Sequence, residues 1–320
     1  MNPRESLTSM RDDARRTGLV RRLLELARDE DLGTLGDITS RATIPETLRG
    51  TFDLTPREPA VLAGLAFLPD LLEVFGGGVD ARLLAEDGSR VEPGRPVATL
   101  AGPVRSVLTV ERTLLNLVCR LSGVATRTAR FVEAARAGVK AGRKPPEVCD
   151  TRKTTPGLRV LEKYAVRCGG GSSHRMGLFD AVLIKDNHLA QVPVSSLAAA
   201  VSGAVARARE LRPGGLSFIE VEVDTLEQLR ALLDAGGAGA GIILLDNMTP
   251  VRLAEAVAMR DASVGGGTPV LLEASGGVRL ETIGAIAATG VDRISVGSLT
   301  HGAVAVDFGL DASAGGAGVS

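Results

Sequence analysis

The sequence predicts an α/β protein in two parts: a small α+β domain, then strand–helix repeats read as an incomplete parallel (β/α) barrel. Three observations carry this. From residue 147 onward short β-branched runs alternate with amphipathic stretches, the pattern of parallel strands joined by crossover helices. Almost every run ends in a charged or glycine-rich segment, as strands do at the mouth of a barrel. No Gly-x-Gly-x-x-Gly follows the first run, which counts against an open doubly wound sheet with a dinucleotide site.

The elements follow in order. Residues 1–16 carry mixed charge and are expected to fray. Leu19, Leu23, Leu26 and Ala27 recur at helical spacing between Gly18 and Asp29, and residues 30–39 form a tight loop. Thr51–Thr55 alternates like a strand, and Ala66–Phe75 is apolar enough for a buried helix. Val79–Leu84 and Arg95–Leu100 are strands around the turn signals Asp87-Gly88 and Pro93-Gly94. Helices are expected from Val104 to Leu121 and from Ala125 to Ala137, divided at Ser122-Gly123, with a polar loop at 138–147. Six barrel strands are legible: Glu147–Asp150, Ala181–Ile184, Leu216–Val223, Gly241–Leu245, Pro269–Leu272 and Val291–Val296. Helices lie near 157–167, 194–211, 225–235, 250–260 and 279–289.

Composition excludes several functions. With aromatics at only 2%, no Trp and one Tyr, platforms for single-stranded nucleic acid are scarce, which counts against that class, and a net charge of −1 gives no field for DNA or an anionic membrane. Cys119, Cys149 and Cys168 have neither disulfide-framework nor zinc spacing, which fits a reducing cytoplasm. Residues 1–18 lack the apolar core of a signal peptide, and no apolar run is long enough for a membrane span.

The strand ends hold the chemistry. They read Asp150-Thr151-Arg152-Lys153-Thr154-Thr155, Lys185-Asp186-Asn187-His188, Glu220 with Glu222, Asp246-Asn247, Glu273-Ala274-Ser275-Gly276-Gly277 and Gly297-Ser298-Leu299-Thr300-His301. From Arg152 to Lys185 there are seven Lys/Arg against two acids, Glu162 and Asp180, a local +5. Arg159, Lys163 and Arg167 are expected on the solvent face of a helix. Arg152, Lys153, Arg175 and Lys185 are expected to bind an anion, because two like charges 4 Å apart cost about 4 kcal/mol at an effective dielectric of ~20. His174, after a glycine run and beside Arg175, is read as ligand-binding, His301 as a phosphate-side donor and His188 as structural. Ser275-Gly276-Gly277 and Gly297-Ser298 can grip a phosphate through backbone N–H groups. Glu222 and Asp246 offer oxygen ligands suited to Mg²⁺ and ribose hydroxyls. Glu220 and Glu222 share a strand face, so the sequence does not rank them.

The ordered motifs EDLGTLGDITS (30–40), ERTLLNLVCRLSGVAT (111–126), DTRKTTPGLRVLEKYAVRCGGG (150–171), HRMGLFDAVLIKDNH (174–188), EVEVDTLEQL (220–229), LLDNMTP (244–250), EASGGV (273–278) and ISVGSLTHGA (294–303) resemble the quinolinate phosphoribosyltransferase family. The resemblance implies an N-terminal α/β sandwich domain over residues 1–120, with or without the tail 304–320. An incomplete barrel over 121–303 would carry phosphoribosyl transfer. It implies at least a homodimer with shared active sites, no nucleic-acid or membrane partner, and formation of nicotinate mononucleotide for NAD biosynthesis. Arg112 of a second copy, with Arg152, His174, Arg175 and Lys185, would hold the two carboxylates of quinolinate. Lys153, Glu222 and Asp246 would serve phosphoribosyl pyrophosphate and Mg²⁺, and Ser275, Gly276, Gly297 and His301 its 5′-phosphate. Ser173 stands where the family commonly has Asn, and the stretches 138–147 and 261–268 look longer than usual. The alternatives weighed are a molybdenum-transport-associated paralogue, an aldolase using Lys185 as a Schiff base, and a non-catalytic phosphate binder.

Overall fold

The computed structural model describes residues 3–263 and 270–313, with side chains from residue 7. Most of the stretch 261–268, Pro269 at the start of one expected strand, and tail residues 314–320 lie outside the described residues. The chain forms two compact units. The first takes residues 1–129, 154–170 and 299–320, and the second takes 130–153 and 171–298.

In the first unit, α1 (Pro3–Arg16), α2 (Leu19–Leu32) and α3 (Ile38–Thr43) precede β1 (Arg49–Pro56), β2 (Ala60–Val61), α4 (Leu68–Phe75), β3 (Asp80–Leu83), β4 (Arg90–Val91) and β5 (Ala98–Pro103). Helix α5 (Val104–Gly138) begins here and ends in the second unit. After it come β6 (Glu147–Cys149) and α6 (Arg159–Cys168), followed by β7 (Val182–Ile184), α7 (Asp186–Leu189) and α8 (Val194–Leu211). Then β8 (Ile219–Val223), α9 (Leu226–Asp234), β9 (Ile242–Asp246), α10 (Pro250–Ala262), β10 (Leu271–Ser275) and α11 (Leu280–Ala287) alternate. Finally β11 (Arg293–Ser295), α12 (Ser298–His301) and β12 (Phe308–Ala312) complete the chain.

The first unit is built on an antiparallel sheet ordered β12-β1-β5-β3. Burial alternates along β5, so Ala98, Leu100 and Gly102 face the core while their neighbours are half-buried. Three expectations are corrected in this unit. Residues 3–16 form a helix, held where Arg15 makes paired bonds to Asp70 (2.9 and 2.7 Å) and one to Ala66 O (3.0 Å). Ser122-Gly123 does not divide α5. Gly123 lacks a side chain because a Cβ there would lie 3.0 Å from the carbonyl carbon of Val304, and Ser122 Oγ donates to Ala63 O (3.3 Å) and accepts from Ala63 N (3.1 Å). Helix α6 presents no solvent face at Lys163, which is fully buried, because α1 and α2 pack against that helix. Glu162, also fully buried, accepts from Arg120 (2.6 Å) and from Thr155 N and Oγ1 (3.0 and 2.8 Å).

The second unit holds six parallel strands in the order β6-β11-β10-β9-β8-β7. Read as a ring, every sequential neighbour pairs except β6 with β7, so the barrel is open at that seam. Its helices are amphipathic; α9, for example, buries Leu229, Leu232 and Leu233 and is started by a Thr225–Gln228 capping box.

Asp87 sets the local stability of the first unit. Its carboxylate accepts from the backbone N–H groups of Gly64 (3.0 Å), Leu65 (3.1 Å) and Ala66 (3.1 Å) and from Tyr164 OH (3.0 Å). Asp87→Ala orphans these donors and should lower unfolding free energy by about 2–4 kcal/mol. Urea unfolding followed by circular dichroism measures it, and a loss under about 0.5 kcal/mol would refute the role.

Candidate active site

Parallel register decides which side chains enter the barrel, because paired residues share a face. Glu222 pairs with Leu244, Leu244 with Glu273, Glu273 with Arg293 and Asp246 with Ser275. Glu220, Glu222, Asp246, Glu273, Ser275, Arg293 and Ser295 therefore project to the inside. Leu183 pairs with Glu220, so Lys185, two residues on, projects there too.

These groups form two tiers. The deep tier is closed to solvent: Glu220 and Glu273 are 0% exposed, Ser295 5% and His174 8%. His174 Nε2 lies 2.9 Å from Glu220 Oε2 and 3.4 Å from Glu273 Oε1. Arg293 Nε donates to Glu273 Oε2 (2.6 Å), and Ser295 Oγ donates to Glu273 Oε1. The Phe218 ring meets the His174 ring edge to face at 4.9 Å and lies 5.7 Å from the Arg293 guanidinium. Burial opposes charge on His174 and the facing Glu220 and Glu273 favour it, but Nδ1 accepts the Arg175 backbone N–H (2.9 Å), which requires the neutral ring with its proton on Nε2. Burial pushes Glu220 up, whereas for Glu273 the effect of burial is overcome by His174 and Arg293, which hold it low.

His174, Glu220 and Glu273 are spaced closely enough to hold a metal ion, their ligand atoms all within 4.8 Å. The surroundings argue otherwise: Glu273 already accepts from Arg293 and Ser295, and the two carboxylates already face one guanidinium and one imidazole N–H. The sequence reading missed Glu273 and Arg293 as site residues. The available signal was a charge within an apolar run of a sheet buried on both faces, where it must be paired.

The outer tier is at the C-terminal strand ends. Lys185 Nζ bonds Glu222 Oε2 at 2.6 Å; Glu222 is buried, while Lys185 is partly exposed. That separates the two candidate carboxylates: Glu222 faces the mouth and Glu220 the interior. The lysine is engaged by a carboxylate rather than set in the apolar pocket that a Schiff-base amine requires. Lys185 N donates to His188 Nδ1 (2.9 Å), a local cap on α7.

Arg152 and Arg175 carry the positive charge of this unit's mouth. Arg152 Nε is buried without a hydrogen-bond partner. Burial, and then the charge of Arg152, lower the Arg175 guanidinium. The acid nearest in sequence, Asp180, accepts the backbone N–H groups of Met176 (2.8 Å) and Gly177 (2.9 Å) and so shapes the turn after Arg175. Ser173 Oγ is buried with no partner, and Lys153 is exposed.

Across the barrel the ends of β9 and β10 interlock. Asn247 adopts φ 51° and its N–H donates to Ser275 O (2.9 Å), while its side chain donates to Asp246 Oδ2 (2.6 Å). Gly276 has φ +91°, and a Cβ there would sit 2.9 Å from Asn247 N as well as against the Asn247 side chain. Only glycine fits. Gly297 lies immediately before α12. Arg112, exposed on α5, and His301, exposed at the end of α12, belong to the first unit.

Known proteins resemble this chain over most of its length. The family model described as quinolinate phosphoribosyl transferase, C-terminal domain, matches residues 124–311, and that of the N-terminal domain matches 37–122. The chain is 46% identical over 294 residues to a nicotinate-nucleotide pyrophosphorylase [carboxylating] of Mycobacterium leprae, covering 91% of this chain and 96% of the relative. A probable nicotinate-nucleotide pyrophosphorylase [carboxylating] of Bacillus subtilis is 38% identical, covering 88% and 89%. The solved nicotinate-nucleotide pyrophosphorylase of Francisella tularensis superposes with a TM-score of 0.78 at 36% identity, covering 92% of this chain and 96% of its own.

Proposed function

We infer that this chain, which belongs to the quinolinate phosphoribosyltransferase family, converts quinolinate and 5-phosphoribosyl 1-pyrophosphate to nicotinate mononucleotide, pyrophosphate and CO₂. The observation that carries the reading is that Arg152, just past β6, and Arg175 lie on segments tied together by the His174 N–H to Asp150 bond (2.8 Å), with their charges acting on each other. Such a pair suits a ligand with two negative charges, and quinolinate carries two carboxylates on one ring.

Residue roles follow as proposals. Arg152, Arg175 and Lys185 hold the carboxylates, with His174 beside them and Arg112 supplied by a second copy of the chain in a homodimer. The planar forks of the two arginines suit bidentate carboxylate binding. Lys153 steadies the departing pyrophosphate. Ser275, Gly276 and Gly297, with His301, receive the 5′-phosphate through N–H and side-chain donors, which the interlocked Asn247–Gly276 turn keeps close to the backbone.

Glu222 and Asp246 fit Mg²⁺, because they stand on one face of adjacent strands, one step apart, and offer the oxygen ligands this ion takes alongside substrate phosphates. Bound there, the ion would neutralise developing charge on pyrophosphate. The protein's part is positioning. Ring nitrogen and ribose C1 are held in line, positive charge at the sugar is offset by carboxylates, and no covalent nucleophile is needed. Once ribosylated, the ring nitrogen is cationic, and loss of the adjacent carboxylate as CO₂ leaves a stabilised ylide that takes a proton. We place the enzyme in the cytoplasm, supported by three free thiols and by the absence, among the described residues, of a helix able to cross a membrane.

The first test mixes protein, quinolinate, phosphoribosyl pyrophosphate and Mg²⁺. Nicotinate mononucleotide and CO₂ should form one to one, with none when nicotinate replaces quinolinate; absence of product would sink the reading. Chelating the ion should abolish turnover reversibly while leaving the thermal midpoint unchanged. Arg152→Lys should cut turnover at least about tenfold, since an ammonium cannot replace a fork; near-normal kinetics would remove Arg152 from the carboxylate site.

A further inference from the structure

We propose that Glu273, locked by Arg293 and Ser295 inside the barrel, is a positioning residue that acts through His174 to set Arg175 for the carboxylates of the substrate. The proposal rests on the reaction assigned above and concerns residues to which that assignment gives no role.

Glu273 has no exposed surface and cannot touch a substrate. One of its oxygens takes Arg293 Nε (2.6 Å), and the other takes Ser295 Oγ and faces His174 Nε2 (3.4 Å). Glu220 closes on the same nitrogen from β8 at 2.9 Å. The opposite ring nitrogen, Nδ1, accepts the backbone N–H of Arg175 (2.9 Å). The backbone N–H of His174 in turn donates to Asp150 Oδ1 (2.8 Å), just past β6 and two residues before Arg152. One imidazole thus ties the buried carboxylates to the peptide that carries Arg175, and the same two-residue segment is tied to the strand end that carries Arg152. The segments that carry the two guanidiniums are thus tied to each other although the charge of one disfavours the charge of the other. Stability alone does not account for the tetrad, since a buried ion pair is often matched or exceeded by well-packed apolar residues.

The test compares Glu273→Gln with the native chain in steady-state kinetics and in ¹⁵N imidazole spectra, which are simple because the chain has three histidines. The spectra need no turnover, so a failure of the assigned reaction, seen as an inactive native enzyme, is distinct from a failure here. Expected are a shifted and faster-exchanging His174 Nε2 proton and a quinolinate KM raised about tenfold, with the phosphoribosyl pyrophosphate KM within about twofold. In a cycle with His174→Gln, the double variant should be no worse than His174→Gln alone. An unmoved His174 resonance, equal losses on both substrates, or additive penalties would each overturn the proposal. If Glu273→Gln fails to fold, Ser295→Ala keeps the carboxylate and removes one clamp. A smaller but still quinolinate-selective rise in KM would support the proposal, and no selectivity would overturn it.

Discussion

Charge inside a sheet of parallel strands is tolerable only when each group meets an opposite one within hydrogen-bond distance. The second unit buries Glu220, Glu273 and Arg293 in its interior, with the His174 N–H set between the two carboxylates, and the architecture around them follows from that need. Strands β8 and β10 are not neighbours, yet their carboxylates converge on one imidazole. This requires the sheet to curl. The segment carrying His174 is drawn against the end of β6 by the Cys149–Ser172 bridge and by Asp150. Where a barrel of this type is usually filled with layers of branched aliphatic side chains, part of this one is filled with a hydrogen-bonded polar cluster.

The cluster also separates two kinds of carboxylate. Glu220 and Glu222 sit on one strand and one face, but the deeper one is enclosed with a histidine and the outer one meets Lys185 at the rim. A step of two residues, close to 7 Å along a strand, is enough to change the surroundings from sealed to wet. The outer positions are then left for groups that exchange with solvent: a lysine, an aspartate and a serine at the ends of β7, β9 and β10.

Most of the second unit could be read from the sequence because its signal is local. All six strands and the four helices α8 to α11 lie within a few residues of where periodicity puts them, and the charged strand ends are visible one at a time. What escaped was non-local. The sequence treats Lys163 as a helix-surface charge, but α6 packs with elements more than a hundred residues upstream. Ser122-Gly123 looks like a helix break until the approach of Val304 explains the glycine. Glu273 and Arg293 are visible as charges within apolar runs, but their partnership appears only once β10 and β11 are in register. Mixed charge in residues 3–16 hides a helix whose anchor, Asp70, lies far along the chain.

The pairing of β1 with β12 has a consequence for biosynthesis. Phe52 stands opposite Ala312, so one side of a strand made early stays without its partner until nearly the whole chain has been synthesised. The strands of the second unit pair with near neighbours in sequence, apart from β6, and can assemble while the chain is still being elongated. On the ribosome the first residues to emerge are therefore among the last to finish folding, and β1 spends that interval as a bare edge that can pair wrongly.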